Sequence, residues 1–146
     1  ASLRSLPLPR DEMAFRACYQ PLLISQNLTT VFRPGNRRWP SWRGYIAGEI
    51  VTARVIHRCG SDALGIAPAF TSLRIPIRIR CVRVMSVDQL VATDFTGSSP
   101  DIADRQGLID HLFEIYGRPI EDYGSQVTLI AFEYLSAGAT HPDGPR

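Results

Sequence analysis

Thr29 and Thr30 stand side by side, Arg33 follows an apolar pair, and then Arg37, Arg38 and Arg43 interleave with Trp39 and Trp42. Hydroxyls and guanidinium groups are donors for phosphate oxygens and base edges, and flat indole rings are platforms on which bases stack. Together they are what recognition of a single-stranded nucleic acid requires. Four of the 16 arginines and both tryptophans fall between Ser25 and Arg43. The alternative is a loop whose tryptophans fold back on the sheet while its arginines meet water.

Other groups could do chemistry elsewhere. All 16 basic residues are arginine, so no lysine is present to act as a base, a Schiff-base former or a phosphate ligand. His57 and Cys59 could supply two metal ligands, but a tetrahedral site needs about two more and no second cluster offers them. No metal and no cofactor are expected. Cys18, Cys59 and Cys81 are odd in number and widely spaced, which fits a reducing, cytoplasmic setting better than a disulfide framework. Asp101, Asp104 and Asp110 read as a helix start with a solvated face. Arg74, Arg78, Arg80 and Arg83 are either a second phosphate-binding stripe or the wet face of a half-buried sheet.

The elements that would position these groups are written in the apolar periodicity. Thr29 to Arg33 favours a pleat, and Pro34-Gly35 ends it. Val51, Ala53 and Val55 alternate with Thr52 and Arg54, predicting a strand over Gly48 to Arg58. Ile75, Ile77, Ile79 and Cys81 alternate with arginines, after which Val82 and Val84 take over the apolar places. An extra residue near 81 and 82, a β-bulge, explains that inversion, and burial of both faces is the alternative. Cys59 to Ser72 reads as a long loop or minor hairpin, and Gln126 to Leu135 as the last strand.

Two helices are expected. Asp11 or Glu12 opens a short or kinked one through Met13, Ala14, Ala17, Cys18, Leu22 and Leu23, limited by Pro21. Ser99-Pro100-Asp101 offers an N-cap, a proline at the first helical position and an early acid, while Gly117 is a natural stop. Leu108, Ile109, Leu112, Phe113, Ile115 and Tyr116 supply that helix's apolar face, and Gly107 weakens its middle. Residues 1–10 read as an extended arm, residues 11–135 as one domain and residues 136–146 as a disordered tail.

Strands outnumber helices and do not alternate with them, which predicts an α+β fold with a curled antiparallel or mixed sheet. Apolar residues make up 45 % and charged residues 21 %, so neither disorder nor a fibrous repeat is indicated. No apolar run approaches the roughly 20 residues of a membrane span. Residues 1–83 hold 13 arginines against 4 acids and the remainder 3 against 10. One face would attract a polyanion if this asymmetry survives folding; alternatively, the halves neutralise each other in space.

In order and spacing, the segments PLLISQN, TTVFR, GEIVTARV, IRIRCVRVMSVDQL, LIDHLFEIYG and VTLIAFEYL resemble an ASCH domain, a branch of the PUA-like β-barrels. The resemblance implies a curled barrel with a short N-terminal helix and one capped helix before the last strand. It also implies an RNA or nucleotide-like partner. Aligned on Arg33, the family's Gly-x-Lys-Thr-x-Thr-x-Arg motif falls on Gln26, Leu28, Thr29, Val31 and Arg33. The family's deacetylating amidohydrolases use the Lys, the second Thr and a later Glu. Here those places hold Leu28, Val31 and either Asp101 or Gln106, and neither Leu28 nor Val31 can transfer a proton or attack a carbonyl. Thr29, Val31 and Arg33 would line a ligand cleft, with Arg33, Arg37, Arg38, Trp39, Trp42 and Arg43 holding nucleic acid. If the protein is instead a divergent amidohydrolase or nuclease, Thr29, His57 and Asp101 are the groups left to carry it, with His57 on the strand next to Thr29. A third possibility is a non-catalytic subunit of a larger assembly, with the proline-rich arm and the C-terminal tail as attachments to a protein partner.

Overall fold

The computed structural model describes residues 11–41, 43–58, 60, 64–66 and 68–135. The arm over residues 1–10, the tail over residues 136–146, Trp42 and Cys59 therefore lie outside the described residues. Five strands form one sheet: β1 (Glu12–Phe15), β2 (Thr30–Pro34), β3 (Ile50–Arg58), β4 (Ala69–Ser86) and β5 (Gln126–Tyr134). Its order is β1-β3-β4-β5-β2, with β1 parallel to β3 and the other pairs antiparallel. The fold is α+β, a mixed sheet curled into a half-barrel, with the short helix α1 (Gln20–Ile24) and the longer α2 (Arg105–Tyr116) against it.

The curl has a visible cause in β4. Ile75, Ile77 and Ile79 point into one core, and Val82 rejoins that core after the parity changes. Ile79 pairs with Phe132 but Cys81 already pairs with Ala131, so Arg80 is the extra residue. A bulge of this kind bends its strand and raises the local twist. The inversion read from the sequence is therefore real, one residue earlier than placed.

Two cores result. Met13, Phe15, Val51, Val55, Ile77, Ile79, Ile130 and Phe132 fill the inside of the curl. Phe32, Leu90, Ile102, Leu108, Leu112, Val127 and Leu129 form a second core beneath α2. Strand β5 serves both, since Ile130 and Phe132 face the first while Val127 and Leu129 face the second.

Three expectations are corrected. The segment opening at Glu12 is a strand, with Met13 opposite Ala53 and Phe15 opposite Val55. A 3₁₀ turn (Ala17–Tyr19) separates it from α1, which carries Pro21 in its first turn. Ser99 does not cap α2. Ser99 to Ile102 makes a single turn that drops Ile102 into the second core, and Asp104 is the cap, accepting from the Gly107 N–H at 2.8 Å. Gly107 lies in the first turn of the helix, where an added Cβ would come within 3.1 Å of the Asp101 carbonyl. Replacing Asp104 by Ala is expected to cost about 1 kcal/mol, visible as a lower urea midpoint. The third concerns the helix face: Leu108 and Leu112 are buried, but Phe113 and Ile115 are exposed.

Candidate functional site

The free edges of the sheet are β1 and β2, and the curl turns them toward each other. No backbone ladder joins them. Side chains from the β2 side close the seam instead: Arg33 donates from Nη2 to the Ala14 carbonyl at 2.9 Å, and Tyr45 donates to the Glu12 carbonyl at 3.2 Å. Carbonyls two residues apart on a strand point the same way, so both bonds meet one edge of β1. The Arg33 guanidinium also lies 5.7 Å from the centre of the Phe15 ring.

Beyond Arg33 the chain enters a folded loop. Buried Thr128 fixes its start, accepting from the Arg37 N–H at 2.8 Å and donating to the Gly35 carbonyl at 2.7 Å. Arg38 bridges Tyr45 in parallel fashion, and the Trp39 N–H reaches the Tyr45 carbonyl at 3.0 Å. Arg37 is within electrostatic reach of Arg33, Arg43, Tyr45 and Tyr116, and Tyr45 is within reach of Arg33, Arg37, Glu49 and Tyr116. Burial, then the neighbouring guanidiniums, holds Arg37 below the usual arginine value, although an arginine stays charged throughout. Burial likewise raises the Tyr45 phenol, against the pull of Arg33 and Arg37. Arg38 turns elsewhere and donates to the Val82 carbonyl at 2.9 Å. Trp39 is 49 % exposed on the same loop.

On the other side of the seam, the loop after Phe95 presses on the double threonine. The Gly97 carbonyl accepts from the N–H groups of Thr29 and Thr30 at 2.9 and 3.1 Å, and Thr30 donates to the Thr96 carbonyl at 2.9 Å. Thr29 is half-buried, whereas Leu28 and Val31 are buried in the first core. The Leu28 carbonyl accepts from the Tyr134 hydroxyl at 2.6 Å. Two residues past Gly97, Ser99 joins a polar cluster that sequence reading missed. Tyr19 and His111 Nε2 are 2.8 Å apart, His111 Nδ1 lies 3.1 Å from Asp101, and Ser99 contacts both Tyr19, at 3.3 Å, and Asp101. Burial pushes the His111 imidazole below its ordinary value and the Tyr19 phenol above its own. The charges of Arg16 and, more weakly, Arg33 add to that lowering of His111, while Asp101 opposes it.

No family model matches the chain, and no curated protein matches it. Among solved structures, protein EF3133 from Enterococcus faecalis V583, of the family DUF984, resembles it with a TM-score of 0.49 and 14 % identity. The likeness covers 85 % of this chain and 74 % of that one. A likeness at that level assigns no residue a role.

The sequence-predicted residues thus divide. Arg33 reaches across the seam to β1, Thr29 lies against Gly97, and Val31 is buried in the first core. Asp101 has both oxygens turned to Ser99 and His111. His57 does not stand beside Thr29. It is exposed at the end of β3, and β4 and β5 lie between β3 and β2, so the strand next to Thr29 is β5. Gln106 donates to Asp110 at 2.8 Å on the surface of α2. The β4 arginines are largely paired: Arg74 with Glu12, Arg78 with Glu133 and Arg83 with Asp94. The basic and acidic halves of the chain therefore meet in part. Among the described residues no cluster of three His, Cys, Asp or Glu side chains forms, and no helix is long and apolar enough to cross a membrane.

Proposed function

We propose that the protein binds RNA, or a nucleotide-like anion, in the cleft at the β1–β2 seam, as an ASCH-like module without that family's hydrolase chemistry. The observation that carries this is Arg37 at the exit of β2, within electrostatic reach of Arg33 and Arg43, on the same loop as a half-exposed Trp39. Arg33 and Arg43 both disfavour the charge on Arg37, and an anion seated beside it would relieve that repulsion, in competition with the Glu49 carboxylate near Tyr45. Arg33 holds the seam with both terminal nitrogens, Nη2 on the Ala14 carbonyl and Nη1 on the Phe32 carbonyl, and contributes its positive charge. Trp39 supplies a stacking face, and Trp42 is the second ring of the proposal. The places where the amidohydrolases carry a lysine and a threonine hold Leu28 and Val31, both buried in the apolar core.

Anisotropy of a rhodamine-labelled single-stranded RNA tests this. Binding at micromolar concentration or tighter is expected at low salt, weakening steeply as salt rises because neutralised phosphates release counterions. Trp39→Ala should weaken it by about 1 to 3 kcal/mol, the contribution of one stacked base. Arg37→Gln should lower the salt slope by roughly 0.7. No binding at low salt, or the same affinity and slope in both variants, would remove the loop from the function.

A second reading, a divergent amidohydrolase or nuclease, has one observation in its favour. Asp101 touches an imidazole, that of His111, in an arrangement able to hold and pass a proton.

A further inference from the structure

Three non-glycine residues among those described have a positive φ: Gln26 at +65°, Arg43 at +57° and Ser125 at +54°. Gln26 follows the end of α1, and Ser125 follows the 3₁₀ turn Ile120–Tyr123, places where a left-handed residue ordinarily stops a helix. Arg43 ends no helix. It is the third residue of the turn that the Gly44 N–H closes on the Ser41 carbonyl at 2.9 Å. A turn with positive φ at this position takes glycine or asparagine there, because a larger side chain crowds the following carbonyl.

The glycine of this turn stands one place later, and it is needed where it is. Gly44 is buried, its own φ is not positive, and an added Cβ would lie 2.6 Å from the Trp39 nitrogen and 2.7 Å from both the Arg38 carbonyl carbon and the Ser41 oxygen. All three are backbone atoms, so no side chain can swing aside. The same backbone is pinned from within. Ser41 N–H donates to the Arg38 carbonyl at 2.8 Å, Tyr45 N–H to the Arg37 carbonyl at 2.8 Å, and Trp39 N–H to the Tyr45 carbonyl at 3.0 Å. The loop is one closed piece, and its left-handed step falls on residue 43.

An exposed arginine occupies that step, where glycine or asparagine would relax the backbone. Its charge also disfavours that of Arg37. Backbone and charge therefore both work against this side chain in the free protein, and a bound anion turns the second of these into an attraction. We propose that Arg43 is the residue that meets a phosphate of the ligand at the tip of this loop, kept left-handed at a cost in stability, so that folding and binding make opposite demands on position 43. The inference rests on the anion-binding reading above and names the contact on which that site's affinity turns. The competing account is an arginine whose own contacts in the folded loop offset the strain, and it predicts the opposite sign for stability.

Urea denaturation and RNA anisotropy on wild type, Arg43→Gly, Arg43→Asn and Arg43→Lys test this. Arg43→Gly and Arg43→Asn are expected to unfold at higher urea than wild type, by roughly 0.5 M for glycine. Both should bind rhodamine-labelled single-stranded RNA about fivefold more weakly at about 0.1 M salt, with the salt slope lowered by roughly 0.7, the loss of one phosphate contact. Arg43→Lys retains the charge and the strained Cβ, so its midpoint and slope should match wild type. Midpoints equal to or below wild type in both Arg43→Gly and Arg43→Asn overturn the inference, because the arginine would then be holding the loop. An unchanged slope in Arg43→Gly, with Arg37→Gln still lowering it, overturns the contact and leaves anion binding by the loop standing. A slope that falls as far in Arg43→Lys as in Arg43→Gly overturns it too, since charge would not be what the ligand meets. Absence of RNA binding by wild type at low salt overturns the anion reading and this inference together.

Discussion

Gly97→Ala is expected to cost about 2 to 4 kcal/mol of folding free energy, and two separable causes add to that figure. Gly97 has φ of +83°, a left-handed conformation that a side chain disfavours by about 1 to 2 kcal/mol. Its position is also blocked, since an added Cβ would lie 2.1 Å from Thr29 Oγ1 and 3.3 Å from Thr30 Oγ1. The loop cannot simply retreat. Its carbonyls at 96 and 97 accept from the Thr30 hydroxyl and from the N–H groups of Thr29 and Thr30, so moving it breaks the bonds that hold the start of β2. A double-mutant cycle separates the causes, because Thr29→Ala removes the colliding oxygen while the left-handed backbone remains. The double variant should therefore recover about 1 to 2 kcal/mol of the loss. Urea denaturation of the four proteins reads both numbers. A Gly97→Ala protein as stable as wild type would mean that the loop does not press on the double threonine.

The strands that alternate over a long run were legible from the sequence, because inward and outward residues differ in kind at every step. That holds for β3 and above all for β4, whose change of parity announced the bulge now placed at Arg80, whereas β5, buried on both faces from Val127 to Ile130, shows an apolar run broken only by Thr128 instead. Strand β1 was not legible. Four residues are too few to display a period, and Met13 and Phe15 are buried only because the distant β3 pairs with them in parallel. The first turn of α2 misled for a related reason. Ser99-Pro100-Asp101 and Asp104 both carry start signals, and what decides between them is Ile102, drawn into the second core.

The candidate site divides along the same line. Its arginine and tryptophan half is contiguous in the chain, so residue types alone located it. The polar cluster is assembled from positions 19, 99, 101 and 111, which only the folded chain brings together. One signal was available: His111 sits between Leu108 and Leu112 on a helix face that is otherwise apolar, where a polar residue needs a buried partner. His57 was placed beside Thr29 from the order of strands along the chain. Order along the chain is not order in the sheet, and β4 and β5 separate the two.

Phe132→Ala should be the most damaging single change to the scaffold, at about 3 to 5 kcal/mol, because it empties a site where two strands and the seam meet. The ring is 1 % exposed and lies edge-on to Phe15 at 6.0 Å and to Tyr134 at 5.6 Å. Phe15 belongs to the open edge β1, and its other neighbour is the Arg33 guanidinium. Removing Phe132 therefore takes away what the Phe15 ring rests on, and with it one support of the arginine that closes the seam. Phe132→Leu retains most of the volume and should cost less, roughly 1 to 1.5 kcal/mol. Urea midpoints order the two variants; equal midpoints for Phe132→Ala and wild type would show that Phe15 and β5 close on each other without the ring. RNA affinity adds an independent reading, taken under conditions where both variants remain folded. If Phe132 acts through Phe15 and Arg33, affinity should fall in the same order as stability, with Phe132→Ala below Phe132→Leu. Unchanged affinity in a destabilised Phe132→Ala would instead mean that Arg33 is held by its bonds to the Ala14 and Phe32 carbonyls without the ring, and that the aromatic contacts serve the barrel and not the cleft.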